Sequence, residues 1–110
     1  MGLQLQKFIN GNGYIIEEGY FEVDEIHYKV ESRTFYFNGN IWVSKDIKDE
    51  GFRPIDRFED SFELEELPNE DIVTFTYKHI METAAQKDVL ETNPRYKGFI
   101  GCIQIDALKE

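Results

Sequence analysis

The chain has 110 residues, of which 41% are hydrophobic, so it is long enough to bury a core and too apolar for a disordered acidic tail. Twenty-two acidic and twelve basic residues give a net charge of −10, which argues against direct binding to nucleic acid or an anionic membrane. No apolar run is long enough to span a bilayer, and the first residues lack the pattern of a secretory signal. We therefore predict one domain over residues 1–110, without signal peptide or transmembrane segment.

The first part of the chain has the period-two pattern of β-strands. Apolar residues alternate with polar ones in three runs: Leu3 and Leu5, then Phe21 and Val23, then Ile26, Tyr28 and Val30. The first run predicts a strand that ends at the Asn-Gly-Asn-Gly turn of residues 10–13. The parity reverses between Val23 and Ile26, which predicts a β-bulge or bend near Asp24 and Glu25.

Residues 34–43 have the pattern of a β-hairpin, because aromatic and β-branched residues flank the dipeptide Asn38-Gly39. The loop has either two or three residues. A three-residue loop pairs Tyr36 with Trp42 and places them side by side on one face. The other face then points inward with Phe35, Phe37, Ile41 and Val43.

The second half of the chain changes from loop to helix. Residues 44–56 are polar and contain Gly51 and Pro54, which indicates an irregular loop, and a short strand is predicted around Phe62 and Leu64. After that, apolar residues recur at spacings of three and four: Tyr77, Ile80, Met81, Ala84 and Ala85.

This spacing predicts a helix of about twenty residues that is capped by Asn69 and ends before Pro94. Alternatively, the β-branched residues of 72–76 form a strand that leads into a shorter helix, so the helix start stays open between 69 and 77. A final strand is predicted from Phe99 to Asp106. The expected fold class is α+β: a mostly antiparallel sheet or sandwich, one helix of the C-terminal half packed on it, and a closing strand.

The sequence contains no recognisable catalytic, metal or cofactor site. His27 and His79 have no second histidine or cysteine at ligand spacing, and no nucleophile motif or phosphate-binding loop is present. Cys102, the single cysteine, lies in an apolar run, which predicts a buried, unreactive thiol. We expect a protein that is not an enzyme and binds no cofactor.

Sixteen aromatic residues are many for one small core, and several are amphipathic. Tyrosine and tryptophan are favoured at protein interfaces, so the interface candidates are Tyr20, Tyr28, Tyr36 and Trp42. For Tyr36 and Trp42 two alternatives stay open. A neighbouring subunit covers them, or the C-terminal helix of the same chain does.

Acidic residues concentrate in residues 46–71, which hold eleven acids and three bases. Six of them are candidates for docking a basic partner: Asp56, Glu59, Asp60, Glu63, Glu65 and Glu66. The segment is either such a docking face, a mimic of a nucleic-acid backbone, or a source of solubility alone.

The order of features resembles a group of small structural proteins encoded among the tail genes of tailed bacteriophages. The shared features are Gly-Tyr-Phe-Glu-Val-Asp-Glu-Ile at 19–26, Pro-Ile-Asp at 54–56, an aromatic-bearing helix at 77–81 and the closing segment 96–103. The resemblance implies a virion component of a tail or baseplate, found in the virion or the host cytoplasm. Its partners would be other protein subunits, in a homo-oligomer or larger assembly, and no catalytic residue is implied.

The chain departs from that group in its heavily acidic segment 57–71. We therefore expect a non-enzymatic structural or assembly protein that acts through protein–protein contacts. The alternative is a small acidic inhibitor, of the anti-defence or nucleic-acid-mimic type, of a host protein that handles nucleic acids.

Overall fold

The computed structural model describes residues 2–6, 8–9 and 15–105, and within them the chain has an α+β fold, as predicted. The strands are β1 (Gly2–Gln4), β2 (Phe8–Ile9), β3 (Ile15–Ile16), β4 (Tyr20–Lys29), β5 (Thr34–Trp42), β6 (Asp56–Glu63) and β7 (Ile103–Ile105). The helices are α1 (Lys45–Asp49), α2 (Ile72–Ala84), α3 (Lys87–Thr92) and a 3₁₀ helix (Pro94–Phe99). The turn predicted at 10–13 and the predicted strand end at Asp106 lie outside the described residues.

Five strands form one antiparallel sheet in the order β6-β5-β4-β1-β7, and β2 pairs with β3 in a separate ribbon. The long β4–β5 hairpin forms the centre of the sheet. Its register shifts between Val23 and Glu25, so the predicted bulge is confirmed. Beside the bulge, the backbone N–H of Val23 donates to the Tyr77 hydroxyl oxygen at 2.9 Å, which ties α2 to this point of the sheet.

The hairpin predicted at Asn38-Gly39 is wrong, because β5 runs straight through both residues. Gly39 pairs with Val23, and a Cβ there would lie 2.5 Å from Cζ of Phe21 and from the Glu22 carbonyl oxygen. Glycine is therefore required for the close approach of a core ring rather than for a turn. The actual turn comprises residues 30–33, where Arg33 adopts a φ of 54°.

Tyr36 and Trp42 are therefore not cross-strand neighbours. Tyr36 pairs with His27 and Trp42 with Tyr20, near opposite ends of the β4–β5 ladder. Phe35, Phe37 and Ile41 point into the core as predicted, whereas Val43 lies beyond the end of β5 and is exposed.

The core lies between one face of the sheet and the helices of the C-terminal half. Its side chains include Phe21, Phe35, Phe37 and Phe58 from the sheet, Tyr77 and Ile80 from α2, and Tyr96 and Phe99 from the 3₁₀ helix. The Phe21 ring meets those of Phe58, Tyr77 and Phe99 edge to face. This geometry is favourable for aromatic rings, so the cluster is held by packing with little need for polar contacts.

The predicted long helix is two helices, α2 and α3, separated at residues 85–86. The N-cap of α2 is Asp71 rather than Asn69, and its carboxylate accepts from the Thr74 N–H at 2.9 Å. Residues 72–76 are helical, so the alternative of a strand there is wrong. The helical segment ends at Thr92, before Pro94, as predicted. No helix in the described part of the chain is long and apolar enough to cross a membrane.

Three shorter segments also differ from the predictions. The predicted loop of residues 44–56 contains α1, whose N-cap Ser44 accepts from the Ile47 N–H through Oγ at 3.2 Å. The strand β6 is longer than predicted. Residues 99–102 are not a strand, because the 3₁₀ helix extends to Phe99 and Gly101 adopts a φ of 72° before β7 begins.

Candidate protein-binding face

Because side chains alternate along a strand, the central sheet has a second face that points away from α2. We call its central part the open face. It carries Glu25 and His27 of β4, Tyr36, Asn38 and Asn40 of β5, and Arg57, Glu59, Ser61 and Glu63 of β6. Within these residues His27, Glu59, Ser61 and Glu63 are exposed and Tyr36 is half-buried, so this area presents polar and aromatic groups to solvent.

Asn38 lies at the centre of the open face and organises it. Its side-chain Nδ2 donates to Glu25 Oε1 and to the Tyr36 hydroxyl oxygen, each at 3.0 Å. The residue is only 3% exposed, and its Oδ1 has no hydrogen-bond partner among the residues that the structure describes. The bond from Asn38 is the main cause that lowers the pKa of Glu25, since it stabilises the charged carboxylate.

Arg57 crosses the open face from β6 over β5 to β4. Its Nη1 donates to Asn40 Oδ1 at 2.9 Å, and its Nη2 lies 3.8 Å from both Asp24 Oδ2 and Glu25 Oε1. The arginine side chain is 44% exposed, so these long ion pairs are screened by solvent and hold it only weakly.

His27 and Tyr36 form one end of the open face. Their ring centroids are 5.9 Å apart, and His27 Nε2 lies 3.6 Å from Glu25 Oε2. Together with Ser61 and the end of the β4–β5 hairpin, they line a shallow depression of about 580 Å³. This end therefore combines aromatic surface with accessible hydrogen-bonding groups.

Of the four aromatic interface candidates, Tyr36 alone belongs to the open face. Tyr20 and Trp42 share its side of the sheet but are buried, with their ring centroids 6.3 Å apart. Trp42 is covered by α1 and the loop that follows. Trp42 is 9% exposed, its Nε1 donates to the Phe52 carbonyl oxygen at 3.0 Å, and the Lys48 ammonium lies 5.5 Å from its ring centroid. The prediction that the C-terminal helix covers Tyr36 and Trp42 is wrong, because α2 packs on the opposite face.

Tyr28 belongs to the helix-covered side of the sheet. It pairs with the core residue Phe35, and its hydroxyl donates to the Leu64 carbonyl oxygen at 2.6 Å. The side chain is half-buried and packs against the core, so its polar group already has a partner inside the chain.

The six acidic candidates do not share one surface. Glu59 and Glu63 lie on the open face, whereas Glu65 and Glu66 are exposed in the segment after β6. Asp56, at the start of β6, accepts from the Arg57 N–H at 2.8 Å.

Asp60 points to the helix side of the sheet. It accepts from the Tyr96 hydroxyl at 2.5 Å and from Arg95 Nη2 at 3.2 Å. Burial, together with this bond to a carboxylate, raises the pKa of Tyr96. Asp60 is therefore part of the structural contact between β6 and the 3₁₀ helix.

Sequence reasoning missed Glu25, Asn38 and Arg57 as members of a site. Asn38 was assigned to a turn, and Glu25 and Arg57 lie in segments with no motif. The predicted bulge was the one signal in the sequence that pointed to this site. After the shift in register that the bulge causes, Glu25 pairs with Asn38.

A second concavity, the edge cleft, lies between the start of β6 and the 3₁₀ helix and has a volume of about 800 Å³. Phe58 and Ile41 line its apolar part, and Arg95 and Lys97 are at its basic part. Arg95 Nη1 donates to the Glu59 carbonyl oxygen at 2.9 Å, so it covers part of the open edge of β6.

Among the described residues, no group of three or more histidine, cysteine or acidic side chains is arranged to hold a metal ion. Cys102 is buried, as predicted, and burial raises its pKa to about 11. Comparisons of the chain with protein-family models, with curated proteins and with solved structures found no match.

Proposed function

We propose that this domain is a non-enzymatic structural or assembly protein that binds another protein subunit through the open face. The observation that carries the proposal is the contrast within one side of the sheet. Around Trp42 this side is covered by α1 and its loop, whereas around Tyr36 it is left to solvent with a buried, unpaired acceptor on Asn38. Unsatisfied buried polar atoms are rare in folded proteins, so this acceptor supports the binding of a further hydrogen-bond donor at the open face.

The side chains of the open face support this proposal. Tyrosine and arginine are enriched in the energetically important parts of interfaces, and here Tyr36 is bonded to Asn38 and Arg57 to Asn40, the next residue of β5 on this face. In the edge cleft, the Arg95 guanidinium already donates to Asp60 and Asn93. This supports a structural role for Arg95 better than a catalytic one.

Site-specific photo-crosslinking tests the proposal. A photoreactive phenylalanine analogue placed at position 36 should yield crosslinks, in the source cells, to one defined protein that mass spectrometry identifies. Position 66, which is exposed but outside the open face, is the matched control. Crosslinks to a second copy of the chain would establish a homo-oligomer. Equal labelling from both positions would contradict the proposal.

The resemblance to phage tail proteins supports a more specific version, in which the partners are other subunits of a tail or baseplate. On this version the protein repeats around the tail and is found in the virion. Mass spectrometry of purified particles tests it, and absence of the chain from the particles would contradict it.

The alternative function, an acidic inhibitor of a host protein that handles nucleic acids, has less support. It predicts that the acids of residues 46–71 form one contiguous face, whereas Asp60 lies on the opposite side of the sheet from Glu59 and Glu63. A pull-down at low and high salt tests it, since binding led by charge weakens as ionic strength rises.

A further inference from the structure

We infer that the centre of the open face receives a lysine or arginine side chain of the partner protein, bound by Asn38 Oδ1 and the Glu25 carboxylate. The inference rests on the proposed function, because it names the chemistry that the open face recognises.

The first step is the orientation of the Asn38 amide. A carboxylate only accepts hydrogen bonds, so the group that faces Glu25 Oε1 at 3.0 Å must be the donor Nδ2. Turning the amide over would place two acceptors against each other. Oδ1 is therefore the unpaired atom, and it needs a donor.

The second step is the charge around that atom. Asn38 pairs with Glu25 on one neighbouring strand and with Glu59 on the other, so acidic side chains flank it on both sides. The Tyr36 hydroxyl oxygen, which accepts from Asn38 Nδ2, adds a further acceptor beside it. A donor that carries positive charge satisfies all of these groups together, whereas an anionic partner is repelled.

The third step is access. Asn38 Oδ1 itself is buried, so a cation reaches it only if a neighbouring surface side chain moves aside. The Glu25 side chain is 53% exposed and that of Arg57 is 44% exposed, so both lie at the surface. The 3.8 Å contacts of Arg57 to Glu25 and Asp24 are longer than the roughly 2.7–2.9 Å of a good charge-assisted hydrogen bond. An incoming cation that displaces Arg57 therefore breaks these weak ion pairs and one exposed hydrogen bond, from Arg57 Nη1 to Asn40 Oδ1 at 2.9 Å.

The test is an NMR titration of the intact protein at low salt with two peptides, acetyl-Gly-Arg-Gly-amide and the same peptide with neutral citrulline in place of arginine. The side-chain amide resonances of Asn38 are the readout. The arginine peptide should cause saturable shifts at Asn38 and its neighbours, and the citrulline peptide should not.

Two charge-matched variants locate the site. Glu25→Gln should weaken binding of the arginine peptide by about tenfold, since a hydrogen bond to a charged group is lost. Glu66→Gln removes the same charge far from Asn38 and should leave the affinity unchanged. Arg57→Gln removes the competing cation and should tighten binding by up to about fivefold. This last variant keeps the test decisive if Glu25→Gln does not fold.

Equal weakening by Glu25→Gln and Glu66→Gln, with shifts spread over the acidic surface, would overturn the inference and indicate general attraction to an acidic protein. Equal binding of both peptides, or no shift at Asn38, would overturn it as well. Either result leaves crosslinking from position 36 as a separate test, so failure of this inference and failure of the proposed function are distinguishable.

Discussion

The two faces of the central sheet differ in how their side chains are held. On the helix-covered face, aromatic rings of the sheet meet those of α2 and the 3₁₀ helix, and burial of apolar surface supplies the stability. On the open face, Asn38 and Arg57 join neighbouring strands through hydrogen bonds and long ion pairs near solvent. The exposed ion pairs of Arg57 contribute little to the stability of the fold, so this face depends on polar contacts far more than the covered face does.

The same contrast appears within one side of the sheet. Trp42 and Tyr36 are both on β5 and point the same way, yet within the described part of the chain only Trp42 is covered, by α1 and its loop. An aromatic side chain on the outer face of a sheet therefore does not by itself indicate whether another element of the same chain will cover it.

The largest expected effect separates these two aromatic residues. Trp42→Ala should lower the free energy of unfolding by about 3–5 kcal/mol, since a large buried ring is removed. Tyr36→Ala should lower it by about 1 kcal/mol, because a half-buried side chain and one hydrogen bond are lost. Urea denaturation measures both. A stable Trp42→Ala protein that fails to assemble would show instead that Trp42 is an interface residue.

The second prediction concerns Gly39, whose lack of a side chain leaves room for the Phe21 ring on the helix-covered face. Gly39→Ala should cost about 1–3 kcal/mol, since the new methyl group meets the Phe21 ring and the Glu22 carbonyl at 2.5 Å. Gly19→Ala is the matched control, because its nearest contacts are at 3.4 Å and need no rearrangement. Unchanged stability of Gly39→Ala would contradict the straight path of β5.

The third prediction uses the ionisation of His79, which stacks on Phe62 with ring centroids 4.0 Å apart. Burial lowers its pKa below the ordinary 6.5, although Asp60 and Glu82 oppose the shift. The unfolded chain therefore binds the proton more tightly than the folded one, so stability should fall as pH drops below about 6.5. Well above that pH, His79 is neutral in both the folded and the unfolded chain, so it does not change the free energy of unfolding.

Urea midpoints between pH 8 and pH 5 measure this dependence. His79→Phe keeps an aromatic ring against Phe62 and should reduce the loss of stability on acidification. His27→Gln, which replaces the exposed histidine of the open face, is the control. It should lose as much stability on acidification as the wild type does. Identical pH profiles for wild type and His79→Phe would contradict the prediction.

The last prediction concerns the reactivity of the Cys102 thiol. It requires no substitution, and the rate of reaction measures how readily the core opens. With a pKa raised to about 11, only about one thiol in a thousand is ionised at pH 8, and the side chain is buried. Reaction with a thiol reagent should be slow in the native protein and fast in urea. Rapid reaction without denaturant would show that the 3₁₀ segment opens readily.

The successes of sequence reasoning rest on local patterns. The reversal of parity between Val23 and Ile26 predicted the bulge, because a strand cannot exchange faces without an extra residue. Pro94 predicted where the helical segment ends, since proline disfavours the helical conformation of the residue before it. Tyr36, Glu59 and Glu63 lie together on the open face, and their role as interface or docking residues stays a prediction.

Local sequence patterns were sufficient to predict the α+β class, the bulge and the helical end, because each depends on neighbouring residues along the chain. The path of β5 and the cover of Trp42 depend on tertiary contacts and were not predictable from such patterns. Asn38-Gly39 has strong turn propensity, yet pairing with both β4 and β6 and the space needed by Phe21 keep it in a strand. The centre of the open face around Asn38 likewise exists only through contacts between three strands that are distant in sequence.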